Sequence, residues 1–271
     1  MRADGIVYNI ETESRNYFAG GILVHNCHRA PSRTFTEAVT AFDCKYMLGL
    51  SATPYRRDGL TNLIAWHLGP CRHSIDRAAL ENSGDIVPAD VVIRYTRFRS
   101  FADPAGEYTK MLSELTQDQG RNDQIAADVI REARNGGGVC LVLTDRKEHA
   151  ETLTTIIQSC GVHADQLTGD LPARDRQNIV ERLNTGRVKV IVATGQLIGE
   201  GFDVAGLSTL FMATPISYHG RLIQYLGRVL RPAPGKARAK VFDYVDPVGV
   251  LQAQAKKRQD VYETNKWRIL Q

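Results

Sequence analysis

Four groups of residues in this 271-residue chain have types and spacings that could do chemistry. The first is His25-Asn26-Cys27. An Asn side-chain amide can attack its own backbone carbonyl, closing a succinimide and expelling the amine of the next residue. His25 could polarise that carbonyl or carry the proton, and Cys27 supplies a thiol nucleophile; a chance His-Asn-Cys in a loop is the alternative. The second is Ser51-Ala52-Thr53-Pro54, small hydroxyl residues behind an apolar run, which suit either a ligand crevice or a plain turn. The third spans residues 194–203, where Gly195, Gly199 and Gly201 precede Asp203. Glycines there permit close backbone approach to a phosphate, and Asp203 could bond a hydroxyl or a metal-bound water; a flexible turn is the alternative. The fourth holds Gln224, Arg228 and Arg231. Two arginines three apart on a helix point the same way and suit a triphosphate, or else a structural ion pair.

These groups need a scaffold, and hydrophobic periodicity predicts one. Residues 46–50, 91–95, 139–143, 162–167, 188–193, 209–212 and 241–244 read as strands, 46–50 and 139–143 as buried ones. Helical spacing predicts helices over 30–42, 60–68, 120–134, 146–160, 172–185 and 217–226, and a moderately amphipathic one over 250–270. Strands separated by helices imply βαβ units, a parallel sheet and function in the loops at the carboxyl ends of its strands. Residues 98–106, with Asp103-Pro104 and Ala105-Gly106, read as a linker, and Lys256-Lys257-Arg258 as a solvated basic face.

Two families are resembled. Val7-Tyr8-Asn9-Ile10-Glu11 followed by residues 16–27 closely resembles the C-terminal splicing block of inteins, a β-hairpin in that family. The resemblance implies that Asn26 cyclises, His25 assists and Cys27 opens the C-terminal extein. Asn9 and Arg15 depart from the Asp and His usual there, and the N-terminal splicing blocks are absent from this sequence. From Cys27 to about Asp246, the series Cys27-His28, Ser51-Ala52-Thr53, residues 139–144, 193–203 and 224–231 resembles motifs II to VI of superfamily 2 helicases, DExH-type enzymes of the repair and restriction-subunit kind.

That second resemblance implies a RecA-like α/β fold. It divides the chain into an intein segment at 1–26, the end of a first RecA-like domain at 27–98, a linker at 99–119, a complete second RecA-like domain at 120–249 and a C-terminal helix at 250–271. ATP and Mg²⁺ are the implied cofactors, and DNA, more than RNA, is the implied partner. Arg228, Arg231, Gln224 and His28 become catalytic; Gly199, Glu200, Gly201 and Asp203 face the nucleotide; Ser51, Ala52 and Thr53 couple hydrolysis to strand movement. Arg56, Arg57, Thr144, Arg146 and Thr194 become nucleic-acid contacts. No G-x-x-x-x-G-K-[ST] and no Asp-Glu before Cys27-His28 occurs in these 271 residues, so the reading expects an N-terminal helicase and intein half as partner.

Composition is compatible with all of this. A hydrophobic content of 43%, a charged content of 24% and a net charge of +4 describe a mildly basic globular chain. Five cysteines show no C-x-x-C pair and no zinc spacing, which suggests reduced thiols in the cytoplasm, and no apolar run approaches a membrane span.

Overall fold

The computed structural model describes residues 16–19, 22–26, 47–50, 61–103, 106–195, 204, 206–216 and 219–270. The chain divides into two compact units, Met1–Ser74 and Ile75–Gln271. In the first, β1 (Asn16–Ala19) pairs antiparallel with β2 (Ile22–Asn26), and β2 pairs parallel with β3 (Met47–Leu50). His25 and Asn26 stand opposite Gly49 and Leu50, so β2 and β3 end at the same edge. A short helix, α1 (Asn62–Leu68), follows. The helix expected over 30–42 lies outside the described residues.

The second unit is built on one all-parallel sheet of seven strands in the order β10-β4-β9-β8-β5-β7-β6. After α2 (Arg77–Ser83) come β4 (Ala89–Tyr95), α3 (Tyr108–Gln117), α4 (Gln119–Asn135), β5 (Val139–Thr144), α5 (Lys147–Ser159) and β6 (Ala164–Leu167). Then follow α6 (Ala173–Asn184), β7 (Val190–Thr194), β8 (Leu207–Met212), α7 (His219–Val229), β9 (Ala239–Val245), α8 (Gly249–Thr264) and β10 (Arg268–Leu270). β5 and β7 are apolar up to their terminal threonines because helices cover both faces of the sheet. Leu141, Leu143, Ile191, Leu210 and Val241 point to one face, where α6, α7 and α8 pack. Their neighbours Cys140, Val142, Val192, Phe211 and Phe242 point to the other, against α4 and α5. That period of two is the strand geometry itself. Phe211 and Phe242 stack at 4.6 Å between ring centroids across β8 and β9.

Four expectations change. β4, assigned above to a first domain ending at residue 98, pairs with β9 along its whole length, so the second unit takes in Ile75 onward. Residues 99–119 are more than a linker: α3 buries Met111 and Leu115 against Phe98, Ala102 and Leu251. The tail is helical only to Thr264; Arg268–Leu270 then add a parallel edge strand to β4. Arg258 is also buried rather than solvated. Its guanidinium donates to both oxygens of Asp243, at 2.7 and 2.9 Å, and Tyr262 donates to the same carboxylate at 2.8 Å.

Candidate functional site

Because the sheet is parallel, Tyr95, Thr144, Thr194, Met212 and Val245 all end strands at one edge. Of the candidate site residues described in this unit, Thr144, Arg146 and Thr194 lie at or just after this edge, Gln224 and Arg228 on α7, and Arg231 just beyond it. Leu222, Tyr225, Leu226 and Val229 recur at helical spacing and are buried, which fixes the rotation of α7. Gln224 and Arg228, four apart and both half-buried, share a face. Arg231 is exposed and lies two residues beyond the last helical residue, so the two arginines do not ride one helix as expected. Pro232 disfavours helix at the residue before it, and the chain closes with Arg231 N–H donating to the Arg228 carbonyl at 3.4 Å. Lys236 caps this end, donating to the carbonyls of Leu207, Val229 and Arg231; burial pushes its pKa down to about 8.

The path into α7 is held by two buried ion pairs that sequence reasoning missed. Residues 213–216 leave β8 in the direction of α7, which begins at His219. Arg121 donates to Asp246 at 2.8 Å and to the Ala213 carbonyl at 2.6 Å, with both side chains of the pair fully buried. Arg258, balanced by Asp243, donates to the Ile216 carbonyl at 3.3 Å. Between them Asp145 N–H donates to Thr214 Oγ1 at 3.0 Å. Two aspartates on or just after β9 therefore hold, through two arginines from α4 and α8, the stretch 213–216 that precedes the helix carrying Gln224 and Arg228.

A second chain of bonds runs from α4 to the end of β5. Asn122 gives its amide to the Thr116 carbonyl at 2.9 Å, leaving Oδ1 to accept from His149 Nε2 at 2.9 Å. That assigns the tautomer: His149 Nδ1 accepts the Thr144 hydroxyl at 2.8 Å. Burial first, and the Arg121 charge second, push His149 down to about 3, so the ring stays neutral. Thr144 also accepts from Arg146 N–H at 3.3 Å. Thr144, expected as a nucleic-acid contact, has only 1% of its surface exposed and its hydroxyl engaged on both sides, and it ties down the turn that carries Arg146. Arg146 is half-buried at the start of α5, and Thr194 half-buried at the end of β7.

Gly195 links this edge to α7. Its N–H donates to the Thr144 carbonyl at 3.2 Å, and its carbonyl accepts the Tyr225 hydroxyl at 2.9 Å. A Cβ at this position would overlap that hydroxyl. The loop that begins here continues through Gly199, Glu200, Gly201 and Asp203, which lie outside the described residues. So do His28, Cys27, Ser51, Ala52, Thr53, Arg56 and Arg57. His25 and Asn26 are described only as the last two residues of β2.

Residues 121–233 match the helicase conserved C-terminal domain. "Probable helicase D10" of Escherichia phage T5 is 25% identical over 98% of this chain and 58% of its own length. The ATP-dependent DNA helicase uvsW of Enterobacteria phage T4 is 21% identical over 91% of this chain and 50% of its own. The crystal structure of T4 UvsW superposes at a TM-score of 0.52 and 18% identity, covering 92% of this chain and 53% of that one. Saccharomyces cerevisiae Dbp5 bound to RNA and ADP BeF3 superposes at 0.60 and 15% identity, covering 92% and 59%. The chain spans about half the length of the curated relatives it matches.

Proposed function

We propose that this chain, which carries a helicase conserved C-terminal domain, is the C-terminal half of an ATP-dependent superfamily 2 DNA helicase or translocase of the DExH type. The observation that carries the reading is the clamped entry to α7. Arg121 and Arg258 fix residues 213–216 at both ends, and α7 then sets Gln224 and Arg228 on one face. Rigid guanidinium and amide donors suit the charge that grows on a γ-phosphate during transfer. Arg231, in the turn after the helix, supplies a second guanidinium, and the loop from Gly199 to Asp203 serves the ribose and phosphates. Ser51, Ala52 and Thr53 couple hydrolysis to strand movement, with Arg56, Arg57, Arg146 and Thr194 on the nucleic-acid backbone and His28 in the severed motif II. The donor set fits ATP as substrate. Mg²⁺ enters on this reading with the carboxylates of the N-terminal half; among the described residues no three His, Cys, Asp or Glu side chains gather as a metal site. These 271 residues hold no G-x-x-x-x-G-K-[ST] and no Asp-Glu before Cys27-His28, so the reading takes the phosphate cradle and the metal carboxylates from an N-terminal half. Joining such a segment to this chain restores oligonucleotide-stimulated hydrolysis, and Arg228→Ala then lowers kcat by about 10³ or more. A joined enzyme indifferent to Arg228→Ala would refute the assignment. The likeness to uvsW supports DNA, which competition between deoxythymidine and uridine oligomers tests. Free Cys71, Cys140 and Cys160 fit a reducing cytoplasm.

The finer reading of the N-terminus is protein splicing, with His25-Asn26-Cys27 as its junction and a separate N-terminal intein half as partner. The parallel pairing of β2 with β3 favours a second reading, in which residues 22–26 serve permanently as a strand of the first unit. On that reading the chain is a non-catalytic fragment that binds nucleic acid or a partner. Intact-mass measurement separates the two. Loss of residues 1–26, blocked by Asn26→Ala, supports splicing chemistry; a chain that stays whole, alone and with its partner, supports the strand.

A further inference from the structure

Beyond the end of β4 the chain alternates. Thr96, Phe98 and Ser100 turn inward, while Tyr95, Arg97, Arg99 and Phe101 turn outward. Tyr95 is 62% exposed and Phe101 95% exposed, yet the backbone beneath them is tied down. Thr96 N–H donates to the Val245 carbonyl at 3.0 Å, and the Thr96 hydroxyl donates to Asp246 at 2.6 Å. Glu114 accepts from Ser100 Oγ at 2.7 Å, from Phe101 N–H at 2.9 Å and from Ala102 N–H at 3.3 Å. Phe98 is 1% exposed and anchors the middle. Among the described residues no hydrogen bond or ion pair engages the guanidinium of Arg97 or Arg99. A phenyl ring held almost wholly in water gains nothing for folding, and what marks a binding surface is its grouping with a second exposed aromatic and those two guanidiniums on one outward side.

We infer that Tyr95, Arg97, Arg99 and Phe101 form a docking strip for single-stranded nucleic acid, adding a contact to the helicase reading on which it rests. Aromatic faces stack on bases of any sequence, and guanidiniums between them meet the phosphates that link those bases. In an extended segment alternate side chains stand about 6.6 Å apart, a step short enough for one side chain per nucleotide. The strip starts at the carboxyl edge of the sheet, beside Val245, and so runs on from the edge that presents Arg146 and Thr194. Thr96 joins it to the same Asp246 that balances Arg121, so the strip and the entry to α7 share one buried carboxylate.

The test is titration of the full chain into a fluorescein-labelled deoxythymidine oligomer at several salt concentrations. Tyr95→Ala and Phe101→Ala are each expected to weaken binding about tenfold with the salt slope unchanged. Arg97→Ala and Arg99→Ala are expected to flatten the slope by about 0.7 for each phosphate left without its cation. All four side chains are exposed, so the melting temperature should not move, and it serves as the control for folding. Wild-type affinity and slope in the quadruple variant would overturn the strip, leave the helicase reading standing and point to a protein partner at these residues. A wild-type chain that binds no oligomer at low salt would overturn the strip together with the nucleic-acid part of that reading, whereas the nucleotide part is judged separately by hydrolysis.

Discussion

Arg121 and Asp246 are fully buried and oppositely charged, and each has other partners to satisfy. Removing one member strands the other charge away from water, which costs about 3–5 kcal/mol. Arg121→Met should therefore lower the denaturation midpoint sharply, and a loss under about 1 kcal/mol would contradict the role given to the pair. His149 supplies a pH dependence with a definite sign. Its pKa is about 3 in the folded chain against an ordinary 6.5, so the unfolded chain takes the proton first. The stability it supports is complete above about pH 6.5 and is lost as pH falls toward 3, by about 2 kcal/mol at pH 5. Denaturant titrations at pH 7.5 and 5 should show that loss in the wild type and a smaller one in His149→Gln. Little of this was legible beforehand. Arg121 and Asn122 read only as the start of a helix, and Thr144 read as a surface contact, because nothing in the sequence reveals that Asn122, His149 and Thr144 meet across three elements.

At the scale of elements, the sequence is most readable where one physical rule dominates. Apolar strands such as Val139–Thr144 sit under helices on both faces and read correctly as buried. Where two rules compete, reading fails. α8 reads as only moderately amphipathic, with Arg258 on a solvated face, because nothing in the sequence shows that Arg258 lies on the buried side, paired with Asp243, among Leu251, Ala255, Val261 and Tyr262. β10 reads as helix because its strand state comes only from β4 offering an edge. The contact between α7 and the end of β7 rests on Tyr225 and Gly195. Tyr225→Phe removes one hydrogen bond and should cost about 1 kcal/mol in thermal unfolding. Gly195→Ala forces a Cβ against the Tyr225 hydroxyl and should cost more; adding Tyr225→Phe should recover part of that loss, and a strictly additive pair would contradict the contact.

For the whole molecule, all seven strands of the larger sheet and the three apolar clusters fall within Ile75–Gln271. Residues 75–271 expressed alone should unfold in a single cooperative transition, whereas a piece beginning at residue 99 should lose β4, and with it the partner of both β9 and β10. The sequence placed the boundary near residue 98 because 98–106 is rich in turn residues and an apolar run such as 91–95 could serve either sheet; only pairing decides which. The proposed function stands on this chain bringing Arg228, Arg231 and a nucleic-acid edge to an ATP site whose phosphate cradle lies elsewhere. The decisive measurement is ATP hydrolysis by the purified 271-residue chain, with and without a single-stranded oligonucleotide. Release of phosphate should stay at the level of the blank in both cases. Oligonucleotide-stimulated turnover that disappears in Arg228→Ala would contradict the proposal, since the chain would then hold a complete site of its own.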